Sequence, residues 1–319
     1  MKAVVCTRYG GPDVLRLTEV KTPTPRDDEV LVRVRAVSLN DWDAGLLQGD
    51  PINRLLFGLL KPKRKILGSD IAGCIEKVGR KVTRFRPGDE VYGDLTGRWG
   101  GFAEYVCAPQ NRIALKPPGM SFADAAALPQ AGMLAVQGLV DRGEIAPKKR
   151  VLINGAGGGV GTLGVQIAKT FGVEVTGVDS SAKLEAMRAT GFDYVIDYTK
   201  EDFTRNGERY DLILDAKTNR GPFAYLRALS RNGIYVTVGG SIGRLLQAFL
   251  FAPWIRWITG KRIRIVALKP NKDLAYLKQL YEQGKIKPLI EGPFSLEEVP
   301  NAFRMFYRSE HKGKIVITV

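Results

Sequence analysis

Hydrophobic and polar positions alternate along the first third of the chain. Between Val30 and Ser38, apolar side chains alternate with charged ones, which is the period of a strand with one buried face. Ile71–Val78 and Glu90–Tyr92 are shorter segments of the same kind, and Lys2–Cys6 is a further strand at the start. Glycine and proline turns separate these segments. The pattern predicts a β-rich region over roughly the first 120 residues.

The period changes from about Ser121 onward. Ala123–Leu128 and Met133–Gly143 have the apolar spacing of helices, and predicted strands and helices alternate after them. The predicted strands of this region are Val151–Asn154, Glu174–Val178, Tyr194–Asp197, Tyr210–Asp215 and Gly233–Val238. This alternation is typical of a doubly wound parallel sheet. The fold class is therefore α/β, with a β-rich region followed by a doubly wound one.

A glycine-rich turn follows the first strand of the alternating region. At such a turn the chain must reverse, admit a pyrophosphate to bare backbone and pack the next helix on the sheet, so small residues are required. The helix N-terminus that follows supplies N–H groups and the positive end of a dipole. A carboxylate that binds ribose hydroxyls stands about twenty residues further on, at the end of the next strand. These features predict a dinucleotide site formed by Ala156, Gly158, Gly159, Val160, Gly161 and Asp179.

Composition and charge narrow the class of protein. The chain has 319 residues, of which 45% are hydrophobic, and this is enough for two domains with full cores. The three cysteines form no CxxC pair and the chain begins with a strand pattern instead of a signal peptide, so we expect a cytoplasmic protein. The net charge of +15 favours anionic partners. The basic residues are scattered without a nucleic-acid-binding motif, and we expect no nucleic-acid partner.

Two segments combine basic and bulky apolar residues. They are Ile52–Lys65 and Ile242–Ile258. The apolar run Leu245–Ile255 is shorter than the roughly 20 residues of a membrane-spanning helix and contains Pro253. For the second segment three interpretations stay open: a lid over an apolar pocket, a subunit contact, or a peripheral membrane contact with tryptophan and arginine at headgroup level.

A series of spaced motifs resembles a known family. The motifs are Gly10–Leu15, Val37–Asp43, Leu67–Gly73, Val78–Val91, Gly101–Tyr105, Gly155–Gly161 and Lys312–Ile317. Together they resemble the medium-chain dehydrogenase/reductase superfamily, in its zinc-free quinone oxidoreductase branch. The resemblance implies a GroES-like catalytic domain formed by residues 1–123 and 264–319, with a Rossmann domain over 124–263. It also implies a nicotinamide cofactor, a hydrophobic small-molecule substrate and a homodimer.

The residues at the family's metal positions argue against zinc. In zinc-dependent relatives a Cys-x-x-Asp stands where this chain has Asn40 and Asp43, a Gly-His-Glu stands where it has Gly68–Asp70, and a third ligand falls near Gln130. A catalytic zinc needs three ligands drawn from cysteine, histidine and carboxylates. The only histidine is His311, which we expect at the surface. We therefore expect no metal site and no zinc.

Without a Lewis acid, conjugate reduction is easier than interconversion of simple alcohols and carbonyls. Hydride delivered to an enone or a quinone leaves a delocalised anion that needs only hydrogen-bond donors and a proton. By resemblance, Asn40 contacts the nicotinamide ribose or the substrate oxygen, and Asp43 holds local structure. Gln48, Tyr92 and a bound water are open as proton donors.

Two alternative functions stay open beside this one. One is a zinc-independent alcohol dehydrogenase or enoyl-thioester reductase of the same fold. The other is a membrane-associated protein that retains NADPH without catalysis.

The choice between NADH and NADPH receives conflicting signals. Asp179 can bind both ribose hydroxyls and repel a 2′-phosphate, which favours NAD(H). By resemblance, Ser180, Lys183 and Tyr198 occupy positions that contact this phosphate in NADPH-using quinone reductases, although Lys183 could equally be a solvated residue of its helix. We also place Gly239 in the cofactor site. The prediction is use of NADP(H), NAD(H) or both.

Overall fold

The computed structural model describes residues 1–319, apart from the side chains of Ile52 and Ile242. The chain divides into two compact units. The first comprises Met1–Gln130, Pro270–Lys278 and Ile290–Val319, and the second comprises Ala131–Lys269 and Gln279–Leu289. These divisions fall a few residues beyond the predicted ones after 123 and 263, and they assign residues 279–289 to the second unit.

The strands that the sequence pattern predicts are present in the predicted order, and further strands and helices lie between and after them. The strands are β1 (Lys2–Cys6), β2 (Leu15–Glu19), β3 (Glu29–Ser38), β4 (Asp70–Val78), β5 (Glu90–Asp94), β6 (Tyr105–Pro109), β7 (Ala114–Leu115), β8 (Arg150–Asn154), β9 (Glu174–Asp179), β10 (Tyr194–Asp197), β11 (Tyr210–Asp215), β12 (Leu229–Thr237), β13 (Arg262–Ile265), β14 (Ile290–Phe294) and β15 (Lys314–Thr318). The helices are α1 (Asp41–Gln48), α2 (Pro51–Phe57), α3 (Phe122–Ala127), α4 (Pro129–Val136), α5 (Gly159–Lys169), α6 (Leu184–Ala189), α7 (Pro222–Ala228), α8 (Ile242–Thr259), α9 (Leu274–Glu282) and α10 (Val299–Tyr307).

The helix predicted over 133–143 takes a different form. Helix α4 ends at Val136, and a wider π-helical segment, Gln137–Arg142, continues it. The wider segment packs closely on the second unit's sheet, because a Cβ on Gly138 would lie 2.4 Å from Cδ1 of Leu214. Apolar periodicity does not distinguish this turn from an α-helix.

The first unit is the GroES-like, β-rich one. Its main sheet has the order β14-β15-β3-β4-β5-β7, and β6 also pairs with β3. In β3 the alternation has the predicted result, since Val32 and Val34 are buried while Arg33 and Arg35 are exposed. Antiparallel register pairs Ser38 with Asp70 and Asp70 with Asp94. Polar residues from three strands therefore lie in one row across the sheet.

The second unit contains the doubly wound sheet. Its six strands are all parallel to their neighbours, in the order β10-β9-β8-β11-β12-β13. The order reverses between β8 and β11, and ligands of such sheets bind at this point, beyond the carboxyl ends of the strands. The Rossmann architecture expected from the sequence is confirmed.

Candidate functional site

The glycine-rich turn joins β8 to α5 at the point where the strand order reverses. Gly155 has φ +80°, a left-handed conformation that glycine adopts without strain, and the N–H groups of Gly155 and Ala156 donate to the carbonyl of Val178. A Cβ on Gly161 would lie 2.4 Å from Cα of Ala156, so the helix can approach the turn only with glycine there. A Cβ on Gly158 would have only the carbonyl oxygen of Gly155 nearby, at 3.6 Å. The space beside Gly158 is therefore open to a ligand.

Helix α5 begins at Gly159, with Gly158 as its N-cap. The first N–H groups of a helix have no partner within the helix, and they carry the positive end of its dipole. Gly159, Val160 and Gly161 occupy this first turn. The helix start thus presents backbone donors suited to a pyrophosphate, beside a turn that leaves room for it.

Asp179 supports this turn from the end of β9. Its Oδ2 accepts the N–H of Gly157 at 2.9 Å, and its Oδ1 accepts the N–H of Ser180 at 2.9 Å. The ammonium of Lys183 lies 3.7 Å from Oδ1. The carboxylate predicted to bind ribose is therefore also a structural element of the phosphate turn.

Lys183 is buried, with 2% of its surface exposed. The interpretation of Lys183 as a solvated helix residue is wrong. Its stem covers Gly157, where an added Cβ would lie 2.6 Å from Cδ of Lys183. Burial of the stem against the turn brings the ammonium to Asp179, a contact that helical spacing alone does not specify.

Ser180, Tyr198 and Gly239 lie at the same carboxyl edge of the sheet. Ser180 directly follows β9, and the N–H of Tyr198 donates to the carbonyl of Asp179 at 3.1 Å. The ring of Tyr198 is half exposed. Gly239 follows β12, and a Cβ added to it would meet nothing within 4 Å. The structure thus brings Ser180, Tyr198 and Asp179 together and places Gly239 at the end of a different strand.

Asp215 is a residue of this edge that the sequence analysis missed. It is fully buried at the end of β11, where Oδ1 accepts Nδ2 of Asn154 at 2.8 Å and Oδ2 accepts the hydroxyl of Tyr235 at 2.7 Å. Burial and the Asp215 carboxylate raise the pKa of Tyr235 above its usual range. The N–H groups of Lys217 and Thr218 also donate to Oδ1, each at 2.9 Å. The sequence offered one indication of this role: Asp215 is a polar residue at the end of a predicted buried strand.

Asn40 belongs to a buried polar cluster in the first unit. It precedes helix α1, and its Nδ2 donates to Oγ of Ser69 at 3.2 Å. Its Oδ1 accepts a 2.5 Å hydrogen bond from Nζ of Lys314, which also donates to the carbonyl of Leu39 at 3.0 Å. Lys314 is the first residue of β15. The sequence analysis missed it as a site residue, although it belongs to the motif Lys312–Ile317. Burial lowers the pKa of Lys314, and the carboxylates of Asp70 and Asp43 oppose this shift.

Asp43 has both oxygens bound to backbone N–H groups. Oδ1 accepts from Gly68 at 2.9 Å, and Oδ2 accepts from Asn40 at 3.0 Å. Burial raises the pKa of Asp43 to about 7. These two hydrogen bonds connect the start of α1 to the loop before β4. They hold Asn40 close to Ser69.

Asp70 and Asp94 are buried neighbours on β4 and β5. Oδ2 of Asp70 accepts Oγ of Ser38 at 3.3 Å and the N–H of Gln130 at 3.2 Å, and it lies 3.7 Å from Nζ of Lys314. Among the described residues, Oδ1 of Asp70 and Oδ2 of Asp94 have no hydrogen-bond partner. Burial, and next the charge of Asp94, raise the pKa of Asp70 to about 7, although Lys314 opposes the shift. Burial raises the pKa of Asp94 as well, so the environment favours the neutral form of both carboxyl groups.

The residues at the family's metal positions are thus joined by hydrogen bonds around Lys314. Within the part of the chain that the structure describes, no three histidine, cysteine, aspartate or glutamate side chains are arranged to hold a metal ion. His311 is buried and stacks on Phe306 at a centroid distance of 5.0 Å, so its expected surface position is wrong. The sequence neighbours of His311 are polar, which suggested exposure, but the C-terminal segment packs on α10 and buries the ring.

The open proton donors lie in different environments. Tyr92 is buried, and its hydroxyl donates to the carbonyl of Leu274 at 3.5 Å. Gln48 ends α1 and is exposed. Tyr92 is therefore held by a contact within the first unit, whereas Gln48 faces solvent.

Comparison with known proteins places these sites in a family. A family model described as "Alcohol dehydrogenase GroES-like domain" matches residues 26–118, and one described as "Zinc-binding dehydrogenase" matches residues 190–317. The chain is similar to the 2-methylene-furan-3-one reductase of Solanum lycopersicum, with 34% identity over 99% of this chain and 79% of the relative. It is also similar to the chloroplastic NADPH-dependent alkenal/one oxidoreductase of Arabidopsis thaliana, with 33% identity over the same shares of the two chains.

A solved structure agrees over the whole length. The quinone oxidoreductase from Coxiella burnetii superposes with a TM-score of 0.89 and 30% identity, covering 100% of this chain and 99% of the other. Fold, phosphate turn and relatives therefore agree. The chain belongs to the medium-chain dehydrogenase/reductase superfamily, in its zinc-free quinone oxidoreductase-like branch.

Proposed function

We propose that the protein is an NAD(P)H-dependent oxidoreductase that transfers a hydride to a quinone or to an α,β-unsaturated carbonyl compound. The observation that carries this proposal is the similarity, over 99% of the chain, to two relatives whose names specify reduction of conjugated carbonyl compounds. A solved relative is a quinone oxidoreductase. Enones and quinones require the same help from an enzyme. Each accepts a hydride to give a delocalised oxyanion, which must be stabilised and protonated.

The second unit fits a nicotinamide dinucleotide. The open space beside Gly158 and the N–H groups of Gly159, Val160 and Gly161 suit the pyrophosphate, and small Ala156 lines the same turn, while the space beside Gly239 is free of side chains. Ser180 and Tyr198 lie beside Asp179, where the adenosine ribose would be held. When bound, the dihydronicotinamide supplies the hydride.

Use of both NADH and NADPH follows from the pairing of Asp179 with Lys183. A lone carboxylate would repel a 2′-phosphate. Here an ammonium lies 3.7 Å from the carboxylate, and it offsets that repulsion at a site with few exposed atoms. Asp179 can still accept a ribose hydroxyl, because each of its oxygens has a further lone pair. We therefore expect weak selection between the two cofactors.

In the first unit, we assign Asn40 to the substrate oxygen or the nicotinamide ribose. Its Oδ1 is bound to Lys314, so the amide is oriented, and Nδ2 has a second hydrogen beyond the one donated to Ser69. Asp43 is a positioning residue, through the N–H groups of Asn40 and Gly68. A donor held this way can stabilise an enolate or phenolate oxygen without reorganising during the reaction.

We also propose that the reaction proceeds without zinc. Asn40 and Ser69 are poor zinc ligands compared with cysteine and histidine, and the ammonium of Lys314 already lies among these side chains. Activity should persist in chelator, and elemental analysis should find far less than one zinc per chain. Near-stoichiometric zinc together with loss of activity in chelator would refute this part of the proposal.

Assembly and location are further proposals. We propose a homodimer, which is the assembly that the family resemblance implies. We place the enzyme in the cytoplasm, at or near membrane surfaces, and acting on a hydrophobic small molecule.

The function is tested by cofactor oxidation with a panel of acceptors. Quinones, enals and enones should be reduced with NADPH or NADH, and product analysis should find the carbon–carbon double bond of the enone saturated. Preferred turnover of secondary alcohols or of enoyl-CoA would favour the alternative enzymes of this fold. Tight nucleotide binding without reduction of any acceptor would favour the non-catalytic binding protein.

A further inference from the structure

Helix α8 presents its apolar side chains to solvent. Ala248 and Ile255 are buried, and they mark the side of the helix that packs on the second unit. The exposed apolar residues recur three, four, seven and eight positions apart, so they share the opposite side of the helix. This outer face consists of Leu246, Phe249, Leu250, Trp254, Trp257 and Ile258.

The exposure of this face is large. Phe249 is 69% exposed, Trp254 is 64% exposed and Trp257 is 81% exposed. The two tryptophan rings contact each other edge to face, with centroids 6.4 Å apart. A surface helix of a globular protein normally has its polar residues on this side, and contiguous exposed apolar surface marks an interaction site.

Positive charge surrounds the outer face. Residues 240–265 contain five basic residues and no acidic one. A groove of about 790 Å³ lies between α8 and β13, and Arg256, Arg262 and Arg264 line it beside Trp257. Glu144 binds Arg262 at 2.8 Å and Arg264 at 2.6 Å, so one carboxylate faces this group of cations. The groove retains an excess of positive charge suited to a phosphate group.

We infer that the outer face of α8 docks on the surface of an anionic lipid bilayer. The tryptophan and leucine side chains enter the interface, while the arginines of the groove bind lipid phosphates, and the helix lies parallel to the membrane. Of the helices described by the structure, none has the length and apolarity needed to cross a membrane. The geometry therefore favours a peripheral contact.

Charge complementarity selects lipid over a second copy of the chain. In a twofold symmetric contact the same patch meets itself, so two outer faces would bring two groups of cations together. The whole chain carries a net charge of +15, which adds to that repulsion and to the attraction of an anionic surface. An anionic bilayer supplies both the apolar layer and the opposite charge.

The test is co-sedimentation of the full chain with lipid vesicles. One set of vesicles consists of phosphatidylcholine alone, and the other contains about one third phosphatidylglycerol. The test variant is the double substitution Trp254→Ser and Trp257→Ser. The matched control is Tyr194→Ser, which removes a 57% exposed aromatic residue from the opposite edge strand of the same sheet. Circular dichroism and thermal unfolding verify that each variant is folded.

The inference predicts binding to the anionic vesicles, weakened by salt, with little binding to phosphatidylcholine. The double variant should lose about tenfold or more in lipid partitioning, while Tyr194→Ser should bind like the wild type. Brominated lipid should quench tryptophan fluorescence in the wild type. Equal binding by the double variant, or no binding to anionic vesicles, would overturn the inference. So would a double variant that changes the oligomeric state, measured by sedimentation, and leaves lipid binding intact, because a second copy would then cover the face.

Discussion

Replacement of Lys314 by methionine tests the buried cluster most sharply. Methionine keeps the length of the stem but removes the ammonium that lies 3.7 Å from Asp70 and donates to Asn40 and Leu39. Removing one partner of a buried ion pair destabilises a protein by about 3–5 kcal/mol, because an uncompensated charge stays buried. At about 2–4 °C per kcal/mol for a unit of this size, the first unit should lose roughly 6–20 °C in Tm.

The size of this loss should depend on pH. Lys314 opposes the raised pKa of Asp70, so its removal raises that pKa further. At acid pH the carboxyl groups are neutral and need no cation, whereas at alkaline pH they are charged and the penalty is complete. The destabilisation should therefore be smaller at about pH 5 than at about pH 8.

The assay is urea and thermal unfolding of three proteins at both pH values. They are the wild type, Lys314→Met and the control Lys312→Met, which removes an exposed lysine two residues away. The control should unfold like the wild type, because isolated surface charges contribute little. If Lys314→Met matched the control within about 0.5 kcal/mol at both pH values, the reasoning about the buried charge would be refuted.

Three further substitutions test other parts of the account. Asp70→Asn removes a carboxyl group whose pKa is raised by burial to about 7, so the wild type should lose stability relative to this variant as the pH rises from about 4 to about 7, and an unchanged difference in urea unfolding would contradict this. Gly158→Val should abolish nucleotide binding in calorimetry while the unfolding curve stays close to that of the wild type, and retained affinity would show that the cofactor is placed wrongly. Lys183→Met should lower kcat/KM for NADPH by about 5- to 30-fold and leave NADH less affected, while an equal loss for both cofactors would indicate a purely structural role toward the phosphate turn.

The regular elements of the fold could be predicted because they depend on local patterns. The alternation in β3, the strand and helix order of the second unit and the glycine-rich turn are all properties of neighbouring residues. The wider segment after α4 could not be predicted, because apolar periodicity does not distinguish α from π turns.

The polar contacts within the sites depend on tertiary register instead. Lys314 reaches Asp70 because β15 lies beside β3, and β3 pairs with β4, although the two residues are far apart in sequence. Lys183 is buried because its stem packs on Gly157, a contact that helical periodicity does not specify. Asp215 is positioned by its neighbours Asn154 and Tyr235 from strands on either side. In the sequence, Lys314 and Asp215 are visible only as polar positions at strand ends.

Deuterium transfer tests the proposed function most directly. The purified protein would be incubated with an enone and NADPH that carries deuterium at C4 of the nicotinamide, with each C4 stereoisomer in turn. The account predicts that one isomer places deuterium on the β-carbon of the enone, that the α-carbon takes its proton from water, and that Gly158→Val gives no labelled product. Deuterium at the carbonyl carbon would contradict the proposal of conjugate reduction. So would recovery of the enone unreduced and unlabelled despite tight binding of NADPH.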